Sequence, residues 1–326
     1  MQQYVIRRIF LNVIVIFLVA TMVFLALRID PDNVVRNRAL GCTLQNYEQC
    51  RRVARAELGL DKPLMEQYVT FIADTATFDL GESYYTKESV LDSVMDRAGP
   101  SIELGLLQIA VALAVALPIG VISAIRQDTW IDYLLRFTAL AFLGIPVFVI
   151  AVFVILGTSR FAGDTFLPEW FGTHSGSDWV GIFDDPVQNL KIVTGPALIG
   201  GLSTGAIIMR FLRSQMLEVL RQDYVRTAWA KGLRERAVVV RHALKNAMIP
   251  VLTIVGILLG SIVTGNVILE TLYGIPGIGF YLVTSIKQFD YPVVQGTILM
   301  IAVSLVFINL VIDVAYGWLD PRIKYS

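Results

Sequence analysis

Six apolar stretches dominate the sequence, and they restrict the chain to a hydrocarbon solvent. Ile9–Leu27, Leu104–Ile125, Phe137–Thr158, Val193–Met209, Ala247–Leu269 and Pro292–Ile312 each approach the ~20 residues that a helix needs to cross a bilayer. The first three contain no charge, and Val193–Met209 is the shortest and the richest in glycine. Each must be helical, because lipid offers no partner to a lone backbone N–H or C=O. Across 326 residues, 55% are hydrophobic and only 17% are charged, against about 25% charge in soluble domains. The fold class expected is an all-α polytopic membrane protein with six transmembrane helices.

Arg7 and Arg8 precede the first stretch, as in a secretory signal. Its apolar run exceeds the ~7–15 residues of a signal core, and no small-x-small cleavage site follows, so it is read as a retained span. The bias of lysine and arginine sets the orientation. With the N-terminus inside, Arg7, Arg8, Arg126, Arg136, Arg210, Arg213, Arg322, Lys324 and every basic residue of 214–246 lie inside. The two shorter outside loops then hold only Arg160, Lys191 and Lys287. Both termini are expected in the cytoplasm. The 27 basic residues equal the 27 acidic ones, so the overall balance points to no nucleic acid partner.

Residues 29–98 are too long and too mixed to be a simple connector. YEQCRRVARAELGL reads as an amphipathic helix, and Pro63 opens a second one. Leu64, Tyr68, Phe71 and Ile72 share a face of that second helix. A cap lying on the membrane surface and a platform for a soluble partner both fit. Cys42 and Cys50, the only cysteines, lie in this polar stretch. If it is extracytoplasmic they can form a local disulfide, and otherwise they are two free thiols. Two cysteines and two histidines, His174 and His242, are too few for a zinc or iron–sulfur centre. Residues 159–192 carry Trp170 and Trp179, suited to the membrane interface.

The longest cytoplasmic loop, residues 214–246, is also the most basic. Arg221, Arg226, Lys231, Arg234, Arg236, Arg241 and Lys245 face only Glu218, Asp223 and Glu235. Two helical stretches flank Gly232, which suits a left-handed C-terminal cap. A basic loop can simply touch anionic lipid, but a short, glycine-broken helix pair tied to two spans can also transmit force.

Here the residues carry a specific likeness. The loop resembles the EAA loop of ABC importer permeases: Gly232 matches its glycine and Ala228 its second alanine, while Arg226 and Thr227 replace the Glu and first Ala. DYVRTAWAKGL followed by RHALKNAMIPVLT is closer still to the B-type permeases of dipeptide and oligopeptide importers. YVIRRIF, LGLDKPLMEQYVTFIADTATFDLGES, ETLYGIPGIGFYLVTSIKQFDYPVVQG and LVIDVAYGWLDPRIKY extend the resemblance over nearly the whole chain. Two departures stand out. Ile29-Asp30-Pro31-Asp32 replaces the branch's Pro-Gly-Asp-Pro, and Cys42 and Cys50 lie in a local insertion.

The resemblance implies a type I ABC importer permease fold with a helical extracytoplasmic segment after the first span. Residues 1–98 would hold the N-terminal span and that segment, 99–318 the permease core, and 319–326 a cytoplasmic tail. It also implies a prokaryotic inner-membrane location and a second homologous permease subunit. Two ATP-binding cassette subunits and an extracytoplasmic substrate-binding protein complete the machine. Asp223, Tyr224, Arg226, Thr227, Ala228, Lys231 and Gly232 become the residues expected to couple to the ATPases. The chain lacks G-x-x-x-x-G-K-[ST], so ATP and Mg belong on the partner subunits and no cofactor is expected on this chain. Peptides are the cargo implied; nickel complexes, glutathione and peptide-like compounds use similar permeases.

Gly274, Pro276, Gly277 and Gly279 form a run that fits a re-entrant or gating loop, or an ordinary turn cluster. Glu103, Glu270 and Asp313 sit near span ends, where they are expected to reach the interface. Gly201-x-Ser203-x-Gly205 matches a hydrolase nucleophile elbow, but inside a span the same glycines serve close helix packing. An intramembrane enzyme would need partners that Ser203 lacks. An ATP-independent secondary transporter would show inverted repeats or mid-span charges, and neither is evident.

Overall fold

The computed structural model describes residues 2–28, 35, 46–57, 59–161, 163, 165–260, 262 and 266–319. Among these residues the regular structure is helical, apart from one isolated bridge between Glu82 and Ser89. The contacts sort into two compact units, 1–99 with 280–326, and 100–279.

Among the described residues, five helices are long and apolar enough to cross a membrane. They are α1 (Gln2–Leu27), α4 (Val90–Ile125), α8 (Pro186–Leu220), α10 (Glu235–Gly260) and α13 (Tyr291–Leu319). α5 (Trp130–Gly144) and α6 (Val147–Phe161) are long and apolar enough only as a pair, and they meet at 96°. The sequence suggests one span over Phe137–Thr158, with Pro146 able to kink it, and the structure breaks the helix at that proline. Pro146 disfavours the helical conformation in the residue before it, and Ile145 is extended, with φ −90° and ψ 121°. The fifth expected span, Ala247–Leu269, also differs. α10 is described as far as Gly260, and Leu269 belongs to a separate short helix, α11 (Val267–Tyr273). That helix and α12 (Ile278–Gln288) form a second broken pair. Shorter helices complete the order: α2 (Tyr47–Glu57), α3 (Leu64–Ala76), α7 (Leu167–Phe171) and α9 (Asp223–Ala230).

Within 100–279, α8 is the central post. Asp185 caps its start, accepting from the N–H groups of Val187 and Gln188, each at 3.1 Å, and Pro186 occupies the first turn, where no N–H is needed. Met209, Leu212 and Met216 of α8 pack with Ala112 and Ala116 of α4 and Ala243, Ala247 and Val251 of α10. Gly201 and Gly205 lie inside α8, not at a strand-to-helix turn, which excludes the nucleophile elbow. A Cβ at Gly201 would come within 2.8 Å of the Gln108 carbonyl oxygen, and one at Gly205 within 3.2 Å of that of Ala112. The glycines therefore let α4 and α8 approach backbone to backbone.

In the other unit, α3 docks on the end of α1. Phe24 is fully buried, its ring 5.2 Å from Tyr68 and 5.4 Å from Phe71. Thr21 and Tyr68 share a 2.7 Å hydrogen bond, and Arg28 lies 3.9 Å over Phe24 while donating to Gln67. Tyr68 and Phe71 thus use the predicted apolar face, while Leu64 stays exposed. Asp290 is buried and pins the loop after α3, accepting from Ser83 Oγ at 2.6 Å and Tyr84 N at 3.1 Å.

Candidate functional site

The site is built where α8 leaves the bundle. Gln222 is extended and breaks the helix, and α9 follows. Val225 and Ala228, three residues apart, fall on one face of α9 and are buried against Val219, Leu220 and Val238. This apolar footing fixes the short helix; a buried valine alone contributes ~1.5–3 kcal/mol. Gly232 then adopts φ +74°, with open space where a Cβ would stand. Its N–H donates to the Trp229 carbonyl at 2.9 Å, and that of Leu233 to Ala228 at 3.4 Å. The turn needs glycine for its backbone conformation, not for room.

The opposite face of α9 is open. Asp223, Tyr224, Arg226, Thr227 and Lys231 are all exposed, and Trp229 is 45% exposed. Arg226 and Asp223 form only a 3.5 Å pair at the surface, and such a pair contributes little. Thr227 Oγ donates to the Asp223 carbonyl at 2.9 Å. Tyr224 ties α9 to α10: Asn246 Nδ2 donates to its hydroxyl at 2.9 Å and to the His242 carbonyl at 2.8 Å. The start of α10 is π-helical over Val238–Leu244, a form common at functional sites. The arrangement is a lever-shaped arm, anchored at its foot and turn, with a polar and aromatic outer surface.

All seven predicted coupling residues are thus gathered on one helix and its turn. Ala228 faces inward and packs on this chain's own Val219, Leu220 and Val238. Trp229, the largest exposed apolar side chain of α9, escaped the sequence reading; only its place inside the motif could have flagged it.

A clamp stands behind the lever. Asp132, at the start of α5, is fully buried. It takes a two-pronged contact from Arg213, at 2.9 and 2.8 Å, and accepts from Ser123 Oγ at 2.5 Å and Asp128 N at 3.0 Å. This ties α8, just before α9, to the ends of α4 and α5. The Gly274–Gly279 run is pinned in a similar way. Glu270 is fully buried, not at the interface as expected, and accepts from Ser101 Oγ (2.8 Å), Asn266 N (3.0 Å) and Gly279 N (2.8 Å). Gly274 takes φ +73°, and a Cβ there would strike the His174 carbonyl. A Cβ at Gly277 would meet Glu270 and Ser101 at 2.5 Å. Pro276 sits in the same turn, between two glycines that nothing larger could replace. Burial lowers the pKa of His174; its backbone, not its ring, serves this turn. Cys50 lies on α2 and carries no free thiol. Cys42, Asp30–Asp32 and the 320–326 tail lie outside the described residues, as does the Asp313 side chain.

Residues 116–325 match the family of binding-protein-dependent transport system inner membrane components, and residues 1–105 match its N-terminal family. The chain belongs to this transport family. Similar full-length relatives include the dipeptide transport system permease protein DppB of Alkalihalophilus pseudofirmus, at 36% identity over all of both chains. The di/tripeptide permease DppB of Pseudomonas aeruginosa is also 36% identical, and the dipeptide permease DppB of Escherichia coli K12 33%, each over all of both chains. The chain is helical and multi-pass, of the type I importer permease fold, and α9 directly follows α8, the post of the 100–279 unit.

Proposed function

We propose that this permease subunit forms half of the path of an ATP-driven importer for dipeptides or oligopeptides. A substrate-binding protein delivers the cargo from outside, a second homologous permease completes the path, and two ATP-binding cassette subunits hydrolyse ATP with Mg. The observation that carries the reading is α9: a short helix with a buried apolar foot, a glycine-set turn and an exposed polar-aromatic face. That is what a docking lever requires. The naming of the full-length relatives as dipeptide and di/tripeptide permeases supports the cargo.

In this reading both termini lie in the cytoplasm of a prokaryote, and the membrane is the inner one. Residues 99–318 are the permease core, and 214–246 are the coupling loop. Closure of the ATPases pushes on Asp223–Gly232; α8 receives the push directly, and the Asp132–Arg213 clamp hands it to α4 and α5. Cys42 and Cys50 bridge in the outer segment, and the pinned Gly274–Gly279 turn borders the outer gate.

Gly232→Glu places a charged side chain at a positive φ in the docking turn. Peptide uptake by cells carrying it should fall to background, while immunoblots show normal amounts in the membrane. Normal uptake in that variant would refute the coupling role of α9.

A further inference from the structure

A groove of about 710 Å³ opens between α5 and α8 beside the clamp. Its walls change character along its length. On α8, Arg210, Ser214, Leu217 and Arg221 are spaced to share one helix face. On α5, Arg136, Leu140 and Leu143 do the same. Arg213 is held by Asp132, so its charge is matched. Arg210 and Arg221 are exposed and, among the described residues, have no carboxylate within ion-pair distance. Leu140 is 56% exposed, and Phe137, outside the groove on α5, is 71% exposed. Helix rise places Leu143 ~16 Å along α5 from Asp132, which is bonded to Arg213. Glu218 also lines the groove, without pairing either arginine, so the groove runs from two arginines and one carboxylate near the clamp to the exposed Leu140 and the half-buried Leu143 beyond it.

We propose that this groove binds an anionic phospholipid of the cytoplasmic leaflet. The phosphate sits among the free arginines, and an acyl chain lies along Leu140 and Leu143. A basic pocket between spans on this side suits such a headgroup, and the leucine wall suits an acyl chain, which inorganic phosphate lacks. The inference rests on the membrane placement proposed above. The lipid would brace the helix that carries α9.

The test is native mass spectrometry of the intact importer from mild detergent, followed by titration of phosphatidylglycerol into the delipidated complex. Each arginine near an anionic headgroup contributes roughly fivefold to binding, so Arg210→Gln with Arg221→Gln should weaken phosphatidylglycerol about thirtyfold. Leu140→Trp, which fills the chain slot and leaves the charges, should also displace it, while phosphatidylcholine should bind neither form tightly. Equal phosphatidylglycerol binding by wild type and both variants would overturn the proposal. So would retention of peptide in the groove, which would make it the mouth of the path, or protection of Arg210 by an acidic partner subunit. ATP-dependent uptake measured on the same preparations reports separately on the importer reading.

Discussion

Single residues carry more of this design than their apolar surroundings suggest. Glu270 is the clearest case. Its carboxylate receives donors from Ser101, Asn266 and Gly279, and the glycines beside it leave no room for a Cβ. Glu270→Ala would orphan those donors, at about 1–3 kcal/mol for each buried group left unmade. The purified complex should therefore unfold at a markedly lower temperature, and an unchanged midpoint would show that the turn does not depend on the carboxylate. The sequence places Glu270 near a span end and suggests an interfacial role. Nothing in the spacing reveals that a serine 169 positions away closes around it. Gly232 was legible, because a glycine between two helical stretches has few other uses. Trp229 was not, since exposure of an aromatic is set by which face of a short helix finds an apolar footing.

At the scale of elements, hydropathy finds spans but misjudges their shape and rank. Val193–Met209 looks weakest by composition, yet α8 runs from Pro186 to Leu220 and is the most buried of the five single spans. Its glycines lower its apolar count because it packs on protein, where small residues serve better than leucine. The break at Pro146 was signalled by the proline, but its angle depends on what Ile145 and the flanking helices can adopt. The Asp132 clamp lay beyond sequence reach, as Arg213 comes from a helix 81 positions on. Removing one partner of a buried pair destabilises by about 3–5 kcal/mol. Asp132→Ala should thus lower thermal stability strongly and reduce uptake per ATP hydrolysed; tight coupling in that variant would rule out a transmitting role. For α9 the expectation is different. Trp229→Ala should leave folding intact and weaken ATPase docking by about 2 kcal/mol, roughly thirtyfold. Pull-down titration of the ATPase subunit checks this.

At the scale of the whole molecule, the chain is a multi-pass helical protein whose sequence holds no G-x-x-x-x-G-K-[ST] and whose α9 stands on an apolar foot with an open polar and aromatic face. Its family membership makes it a transport component; entry of force at α9 is the proposal to be tested. The measurement that bears most directly on this account is the composition and activity of the complex held by the tagged chain after gentle extraction. The account predicts a second permease and two ATP-binding subunits, with reconstituted peptide uptake that requires ATP. A chain that purifies alone and transports peptide without ATP would contradict it.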